Sequence, residues 1–155
     1  MAKEPVARGI VLVEPQVDDG PLAAVAKEAA SILRALDAPA DASVEHADYV
    51  VLVLGEGARA DAPALPELAD RAGAAVAVAG EASEGRAVVA SARKRLRRQG
   101  AVLGARELVF SPEQFGYLGL ESDGARERFE ILLRALVNDA ERLRLKREGW
   151  EEPVE

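Results

Sequence analysis

The segment Gly55-Glu-Gly57-Ala-Arg-Ala60 has the form G-x-G-x-x-A, a spacing that lets a backbone approach the pyrophosphate of a dinucleotide. Binding of that kind also requires a helix to begin at the third small residue, so that its N-terminus faces the phosphate. In this sequence Pro63 and Pro66 delay the next helix. The segment therefore predicts a glycine-containing loop after a strand, and not a dinucleotide site.

Two such loops follow runs of apolar residues that show no polar alternation. The loop at Gly55 follows Tyr49–Leu54, and the loop at Gly80 follows Ala74–Ala79. A strand that is apolar on both faces needs cover on both faces, which is typical of the central strands of a parallel sheet. Ligands bind such sheets beyond the carboxyl ends of the strands, so we expect the functional site in these two loops.

The remaining elements alternate between strand and helix, which predicts a three-layer α/β sandwich. Gly9–Val13 forms a first strand, but about a dozen residues separate the first helix from Tyr49 and none of them has a strand pattern. The parallel sheet therefore has four recognisable strands, with the usual second strand missing. The other predicted elements are a helix over 21–36, a short turn over 43–47, a helix from Pro66 to near Gly73, a helix over 86–99 closed by Gly100, a strand over 107–110, irregular chain over 111–123, and a final helix over 125–146 capped by Asp123.

Composition excludes several classes of function. The 155 residues contain no cysteine and one histidine, which excludes thiol chemistry and a multi-histidine metal site. Asp18 and Asp19 are adjacent carboxylates without a third ligand at a fixed spacing, so we expect no metal. The net charge of −7 disfavours nucleic acid and anionic membranes as partners. With no signal peptide and no membrane-spanning run, we expect a cytoplasmic protein with one domain over residues 1–147 and an acidic tail over 148–155.

One basic run stands against this acidic background, Arg93-Lys-Arg-Leu-Arg-Arg98. It lies near the end of a predicted helix, where the helix dipole favours cations. The simpler interpretation is a solvated helix face, since most charge runs are solvated. The alternative is a patch that binds an anion or an acidic partner.

The order of features from Gly73 to Phe110 is a small-residue strand, a glycine-containing polar loop, a long helix and a short strand. An acidic turn within 115–128 then leads to a leucine-rich final helix. This pattern resembles the C-terminal half of the NADPH-dependent FMN reductase family, which has a flavodoxin-like fold. The segment Ser43–Leu54 is similar to that family's approach to its third strand.

The resemblance implies a flavodoxin-like oxidoreductase whose FMN, held by three loops, takes a hydride from NAD(P)H and passes electrons to a small acceptor. In the first loop, 14–20, this chain has three carboxylates where the family has hydroxyls and arginine, and these would repel a phosphate. The resemblance assigns Gly55, Gly57 and Arg59 to the flavin ring, and Ser83, Gly85 and Arg86 to its pyrimidine edge or to a phosphate.

A second hypothesis is a flavodoxin-like interaction or scaffold subunit that has lost FMN. The missing strand leaves Gly9–Val13 at the edge of the sheet, where unpaired backbone groups favour pairing with another chain. The final helix also has more apolar positions than one stripe against the sheet requires. We therefore expect a homo-oligomer, most simply a two-fold dimer, with this strand or the final helix in the contact.

Overall fold

The computed structural model of the chain describes residues 7–14, 20–55, 65–116 and 119–149. Ten helices and strands follow one another in these residues, together with two short 3-10 turns at Val44–His46 and Pro112–Gln114. The strands are β1 (Gly9–Glu14), β2 (Tyr49–Leu54), β3 (Ala72–Val78), β4 (Val102–Leu103), β5 (Leu108–Phe110), β6 (Phe115–Gly116) and β7 (Gly119–Leu120). The helices are α1 (Gly20–Ala35), α2 (Ala82–Arg98) and α3 (Asp123–Arg147).

The main sheet is parallel, and helices cover both of its faces. β1 pairs with β2 from Gly9 opposite Tyr49 to Glu14 opposite Leu54, and β2 pairs in turn with β3. The helices α1 and α3 pack on one face of the sheet, whereas α2 packs on the other. Every residue of β2 and β3 is buried, as their unbroken apolar sequences require. The predicted α/β sandwich is confirmed.

The fourth strand position is shared by two short segments. Both β4 and β5 pair with β3, and residues 104–107 interrupt the pairing between them. Because Gly73 pairs with Leu103 while Val76 pairs with Leu108, the outer strand holds two more residues than β3 over this stretch. The sequence predicts the β5 segment but not β4.

The edge position of β1 follows from the missing strand. Residues 36–48, between α1 and β2, are all described and contain no strand. Among the described residues, their backbone hydrogen bonds to β1 involve Gly9 alone: its N–H donates to the Pro39 carbonyl at 3.2 Å, and its carbonyl accepts from the Ala42 N–H at 3.0 Å. The predicted deletion is confirmed, and a short stretch of non-strand chain covers the first residue of β1.

One predicted helix is wrong. Residues 65–71 form no helix, although Pro66 is a favourable first helical residue. The Leu68 N–H donates instead to the Gln99 carbonyl at 2.6 Å, and Asp70 has a φ of 59°, which ends any helical turn. The chain enters β3 at Ala72, because pairing with the buried strand β2 outweighs a local helical preference.

Other boundaries move by a few residues. The helix α2 begins at Ala82 rather than near Arg86, and the cap of α3 is Ser122, whose Oγ accepts from the Ala125 N–H at 3.3 Å, in place of Asp123. The segment predicted as irregular contains the antiparallel hairpin of β6 and β7. Gly100 has a φ of 90° and closes α2 as expected.

Most apolar side chains of α3 pack in the core of this chain, whereas Ile131 is 42% exposed. Phe129, Leu132, Leu133 and Leu136 are buried between α3 and the sheet, and Leu143 packs at the margin of the same cluster. Most of the excess apolar positions on this helix therefore serve packing within this chain. No helix among the described residues has the length and apolarity needed to cross a bilayer.

Candidate functional site at the carboxyl edge

Four parallel strand ends meet along one edge of the sheet, which we call the carboxyl edge. It is formed by the ends of β1, β2, β3 and β5 at Glu14, Leu54, Val78 and Phe110. Backbone bonds continue the pairing past these ends, from the Gly55 N–H to the Glu14 carbonyl and from the Ala79 N–H to the Phe110 carbonyl, both at 2.9 Å. Because α1 follows β1 and α2 follows β3, the N-termini of both helices lie at this edge.

The start of α2 contains all three residues that the sequence assigns to the loop at Gly80. Ser83 and Arg86 are exposed, whereas Gly85 is buried. A Cβ on Gly85 would lie 2.4 Å from Cγ1 of Val109, so this glycine allows the first turn of α2 to pack closely on β5. Ser83 and Arg86 thus face solvent on a rigid helical turn rather than on a loop.

The N-terminus of α2 is open to an anion. Its cap residue, Glu81, has an extended backbone, and its side chain accepts no hydrogen bond from the helix. The first intrahelical bond runs from the Gly85 N–H to the Glu81 carbonyl at 3.1 Å, so the N–H groups of the residues between them have no partner within the helix. Such groups, together with the helix dipole, favour an anionic ligand.

The end of β2 packs under the first turn of α1. A Cβ on Gly55 would lie 2.8 Å from Cδ1 of Leu22, so Gly55 is needed for close packing of helix on strand. The first turn of α1 carries no acidic residue. Gly57 and Arg59, the other two residues predicted in this loop, lie outside the described residues, as do Asp18 and Asp19.

The carboxylate at the end of β1 is neutralised by an arginine that the sequence did not assign to the site. The two guanidinium nitrogens of Arg95 contact the two carboxylate oxygens of Glu14 at 2.6 and 3.1 Å. The hydrogen bond to Glu14 raises the pKa of Arg95, so this guanidinium keeps its charge beside the carboxylate. Glu14 was expected to repel a phosphate at this edge, but the ion pair offsets its charge.

The basic run on α2 is therefore only partly a solvated face. Arg93 is buried, and its guanidinium donates to the Gly104 carbonyl at 2.9 Å and lies 3.6 Å from the Glu107 carboxylate. Through these contacts Arg93 binds the segment 104–107 that separates β4 from β5. Arg93 also lines a cavity of about 360 Å³ beside this segment, together with Leu132 and Leu136 of α3. Hydropathy did not reveal this role, because the carbonyl partners come from a turn eleven residues further along the chain.

The aromatic side chains cluster near the end of β5. The ring of Phe110 is 5.8 Å from that of Phe115 and 5.1 Å from that of Phe129, both in edge-to-face geometry. Phe110 and Phe129 are fully buried, whereas Phe115 is half-buried on β6. Phe115 is thus the aromatic residue that the described part of the carboxyl edge presents toward solvent.

A charged cavity of about 530 Å³ lies at the opposite, amino edge of the sheet. Asp48, just before β2, accepts from Arg147 near the end of α3 at 2.5 Å and from the Arg8 N–H at 3.0 Å. Burial, with the nearby charge of Arg71, lowers the pKa of Arg147. These contacts tie the end of α3 to the starts of β1 and β2. Since each lining carboxylate, Asp41, Asp48 and Glu148, contacts an arginine, the cavity is a structural ion-pair network.

Comparison with known proteins places the fold. No protein-family model and no curated protein matches the chain. A short-chain flavodoxin associated with a bacterial microcompartment superposes with a TM-score of 0.68 at 15% identity, over 86% of this chain and 99% of that one. Oxidised flavodoxin 2 from Bacillus cereus superposes with a TM-score of 0.61 at 16% identity, over 85% of this chain and 99% of that one. The apo form of an NADH:FMN oxidoreductase superposes with a TM-score of 0.61 at 14% identity, over 90% of this chain and 89% of that one.

These similarities show a flavodoxin-like fold. At 14–16% identity they do not single out the NADPH-dependent FMN reductase family that the sequence resembles, because flavodoxins and an oxidoreductase match about equally well. Because a shared fold does not carry function, the function depends on the residues at the carboxyl edge.

Proposed function

We propose that this chain is an FMN-binding redox protein that holds the nucleotide at the carboxyl edge. The observation that carries the proposal is the placement of two helix N-termini at this edge, with no side-chain cap on α2 and no acidic residue in the first turn of α1. Helix N-termini of this kind favour phosphate and carbonyl oxygens. The similarity to flavodoxins and to an NADH:FMN oxidoreductase supports the same assignment.

The described residues fit such a ligand in two respects. Ser83 and Arg86 are exposed donors on the first turns of α2. The repulsion between Glu14 and a bound anion is reduced, because Arg95 binds both carboxylate oxygens of Glu14. The resemblance adds Gly57 and Arg59 from the loop after Gly55 as further contacts to the flavin. When bound, FMN supplies hydride acceptance from NAD(P)H and transfer of electrons to a small acceptor.

The contribution of the chain is binding and orientation. The backbone N–H groups at the start of α2 and the Ser83 hydroxyl hold acceptor oxygens, and the Arg86 guanidinium offsets negative charge. The close packing at Gly55 and Gly85 fixes both helix starts against the strand ends, so the donors need little reorganisation when the ligand binds.

The experiment is a titration of the purified apoprotein with FMN, followed by quenching of flavin fluorescence, with riboflavin as the matched ligand that lacks the phosphate. Saturable binding of FMN that exceeds binding of riboflavin is the expected result. Absence of saturable quenching at any soluble FMN concentration would overturn the proposal. A second assay, oxidation of NADH or NADPH by the FMN-loaded protein, separates an oxidoreductase from an electron carrier that another enzyme reduces.

A second candidate function is an interaction subunit that does not bind FMN. One observation favours it: Glu81 and Glu84, both exposed, flank Ser83 at the start of α2, where they reduce the attraction for an anion. Under this candidate the titration shows no flavin binding. Replacing both glutamates with glutamine would then leave binding absent, whereas an FMN protein weakened only by these charges would bind FMN more tightly in the double variant.

A further inference from the structure

The outer side of β1 has backbone groups that meet no partner in the described part of the chain. Glu14 accepts from Gly55 on the β2 side, whereas Gly9 bonds to Pro39 and Ala42 on the outer side. In a parallel strand, the backbone N–H and C=O of one residue point to the same side of the strand. The groups of the next residue point to the opposite side. Val11 and Val13 therefore direct their N–H and C=O groups outward, and no backbone bond from these groups reaches another described residue.

The side chains of β1 are incompletely covered on both faces. Ile10, Val11, Leu12 and Val13 are all partly exposed, in contrast to the fully buried residues of β2 and β3. Ile10 and Leu12 lie at the margin of the cluster around α2, and Val11 and Val13 at the margin of the cluster around α1. An additional strand beside β1 would bury apolar surface on both faces while it bonds to the backbone.

The other edge of the sheet lacks these properties. There the outer strand is broken into β4, of two residues, and β5, of three, by the stretch that Arg93 holds. Short and interrupted edge strands are a common protection against pairing. β1, by contrast, is six residues long and unbroken. The sheet therefore has one edge that suits pairing and one that resists it.

We propose that β1 pairs with β1 of a second copy of this chain, antiparallel about a two-fold axis at Leu12, to form one continuous sheet across the dimer. In this register Val11 of each copy lies opposite Val13 of the other, and such a pair exchanges two N–H···O=C bonds. The outward N–H and C=O groups of Val11 and Val13 are thereby hydrogen-bonded in both copies. This proposal is independent of FMN binding.

The neighbouring register is excluded by the contacts of Gly9. An axis at Val11 would place Gly9 opposite Val13, but the outward N–H and C=O of Gly9 are already bonded to Pro39 and Ala42. Val13 would then remain unsatisfied in both copies. An axis at Leu12 pairs only the outward groups of Val11 and Val13, which have no backbone partner among the described residues.

The first test is the mass in solution, by sedimentation equilibrium, of the wild type and of two proline variants. Val11→Pro removes an outward N–H that the single chain does not use, so the fold is expected to persist and the mass to fall from about twice 16.4 kDa to 16.4 kDa. Leu12→Pro, the matched control, removes a bond to β2 and is expected to reduce the melting temperature. A monomeric wild type, or a dimeric Val11→Pro variant, would overturn the proposal.

A cysteine test fixes the register and does not depend on the proline variants folding. The chain has no cysteine, so a single introduced thiol crosslinks only to its own counterpart. Leu12→Cys places two thiols across the axis in a non-hydrogen-bonded pair, whose Cβ atoms are about 4.5–5.5 Å apart. Ile10→Cys, on the same face, places them about 13 Å apart along the strands. Mild oxidation should crosslink the Leu12→Cys variant and not the Ile10→Cys variant. Equal crosslinking of the two variants would contradict the pairing, as would a dimeric Leu12→Cys variant that does not crosslink.

Discussion

The phenol ring of Tyr49 lies directly against the backbone of Gly9, its partner across the β1–β2 pair. A Cβ on Gly9 would be 2.3 Å from two carbons of that ring. The ring is fully buried, and its hydroxyl donates to the Ala38 carbonyl at 2.6 Å. One side chain thus fixes the start of the edge strand and, through Ala38, the start of the segment that follows α1.

We expect Gly9→Ala to destabilise the fold by about 1–3 kcal/mol, because the added methyl group cannot fit beside a buried ring without displacing it. Gly124→Ala is the matched control, since no atom lies within 4 Å of a Cβ at this position in the first turn of α3. The control should keep or slightly raise the stability. Urea unfolding of both variants measures the effect, and equal midpoints would contradict the packing described for Gly9.

The stability of the protein should fall at alkaline pH because of Tyr49. Burial, with the nearby charges of Asp41 and Asp48, raises the pKa of this phenol above its ordinary value. The folded state therefore keeps the proton after the unfolded state loses it near pH 10. The contribution of Tyr49 to stability is constant below that pH and then decreases by up to about 1.4 kcal/mol per pH unit as the pH approaches the folded-state pKa.

Tyr49→Phe tests this dependence. The variant should lose about 1–3 kcal/mol at neutral pH, because the buried Ala38 carbonyl loses its donor, and its stability should depend less on pH above 10 than that of the wild type. Denaturant unfolding at a series of pH values gives both quantities. Parallel stability curves for the two proteins above pH 10 would show that this phenol does not cause the alkaline loss.

Arg93→Lys should destabilise the protein by about 1–2 kcal/mol although the charge is kept. Lysine cannot reproduce the planar set of donors with which Arg93 meets the Gly104 and Arg106 carbonyls and the Glu107 carboxylate. Arg97→Lys, on the exposed side of the same helix, is the control and should have little effect. Thermal unfolding compares the two, and a similar loss in both variants would argue against a structural role for Arg93.

If FMN binds at the carboxyl edge, the double variant Arg59→Ala and Arg86→Ala should lose most of its affinity for FMN. These are the cations that the two predicted loops offer to a phosphate, and Arg86 is exposed on α2, so its loss should cost little stability. Fluorescence titration measures the affinity and circular dichroism checks the fold. FMN binding as tight as in the wild type would place the phosphate elsewhere.

The sequence by itself determined the central strands, the three helices α1, α2 and α3, and the missing second strand. Runs such as Tyr49–Leu54 are apolar at every position, and only a strand covered on both faces accommodates that pattern. It also located the ends of those strands as the place to look for a ligand. These features are local or periodic, so they can be identified without knowing which parts of the chain meet.

Only the tertiary structure decided which polar residues are structural and which are exposed. Arg95 and Glu14 are 81 residues apart, so no local pattern joins them, yet their contact neutralises the end of β1. Pro66 begins no helix, since the chain must enter β3 beside the buried strand β2. Gly85, predicted as a ligand contact, is enclosed by Val109 while Ser83 remains exposed two residues earlier. The reason is common to all three: long-range packing sets burial and partners, and local sequence encodes neither.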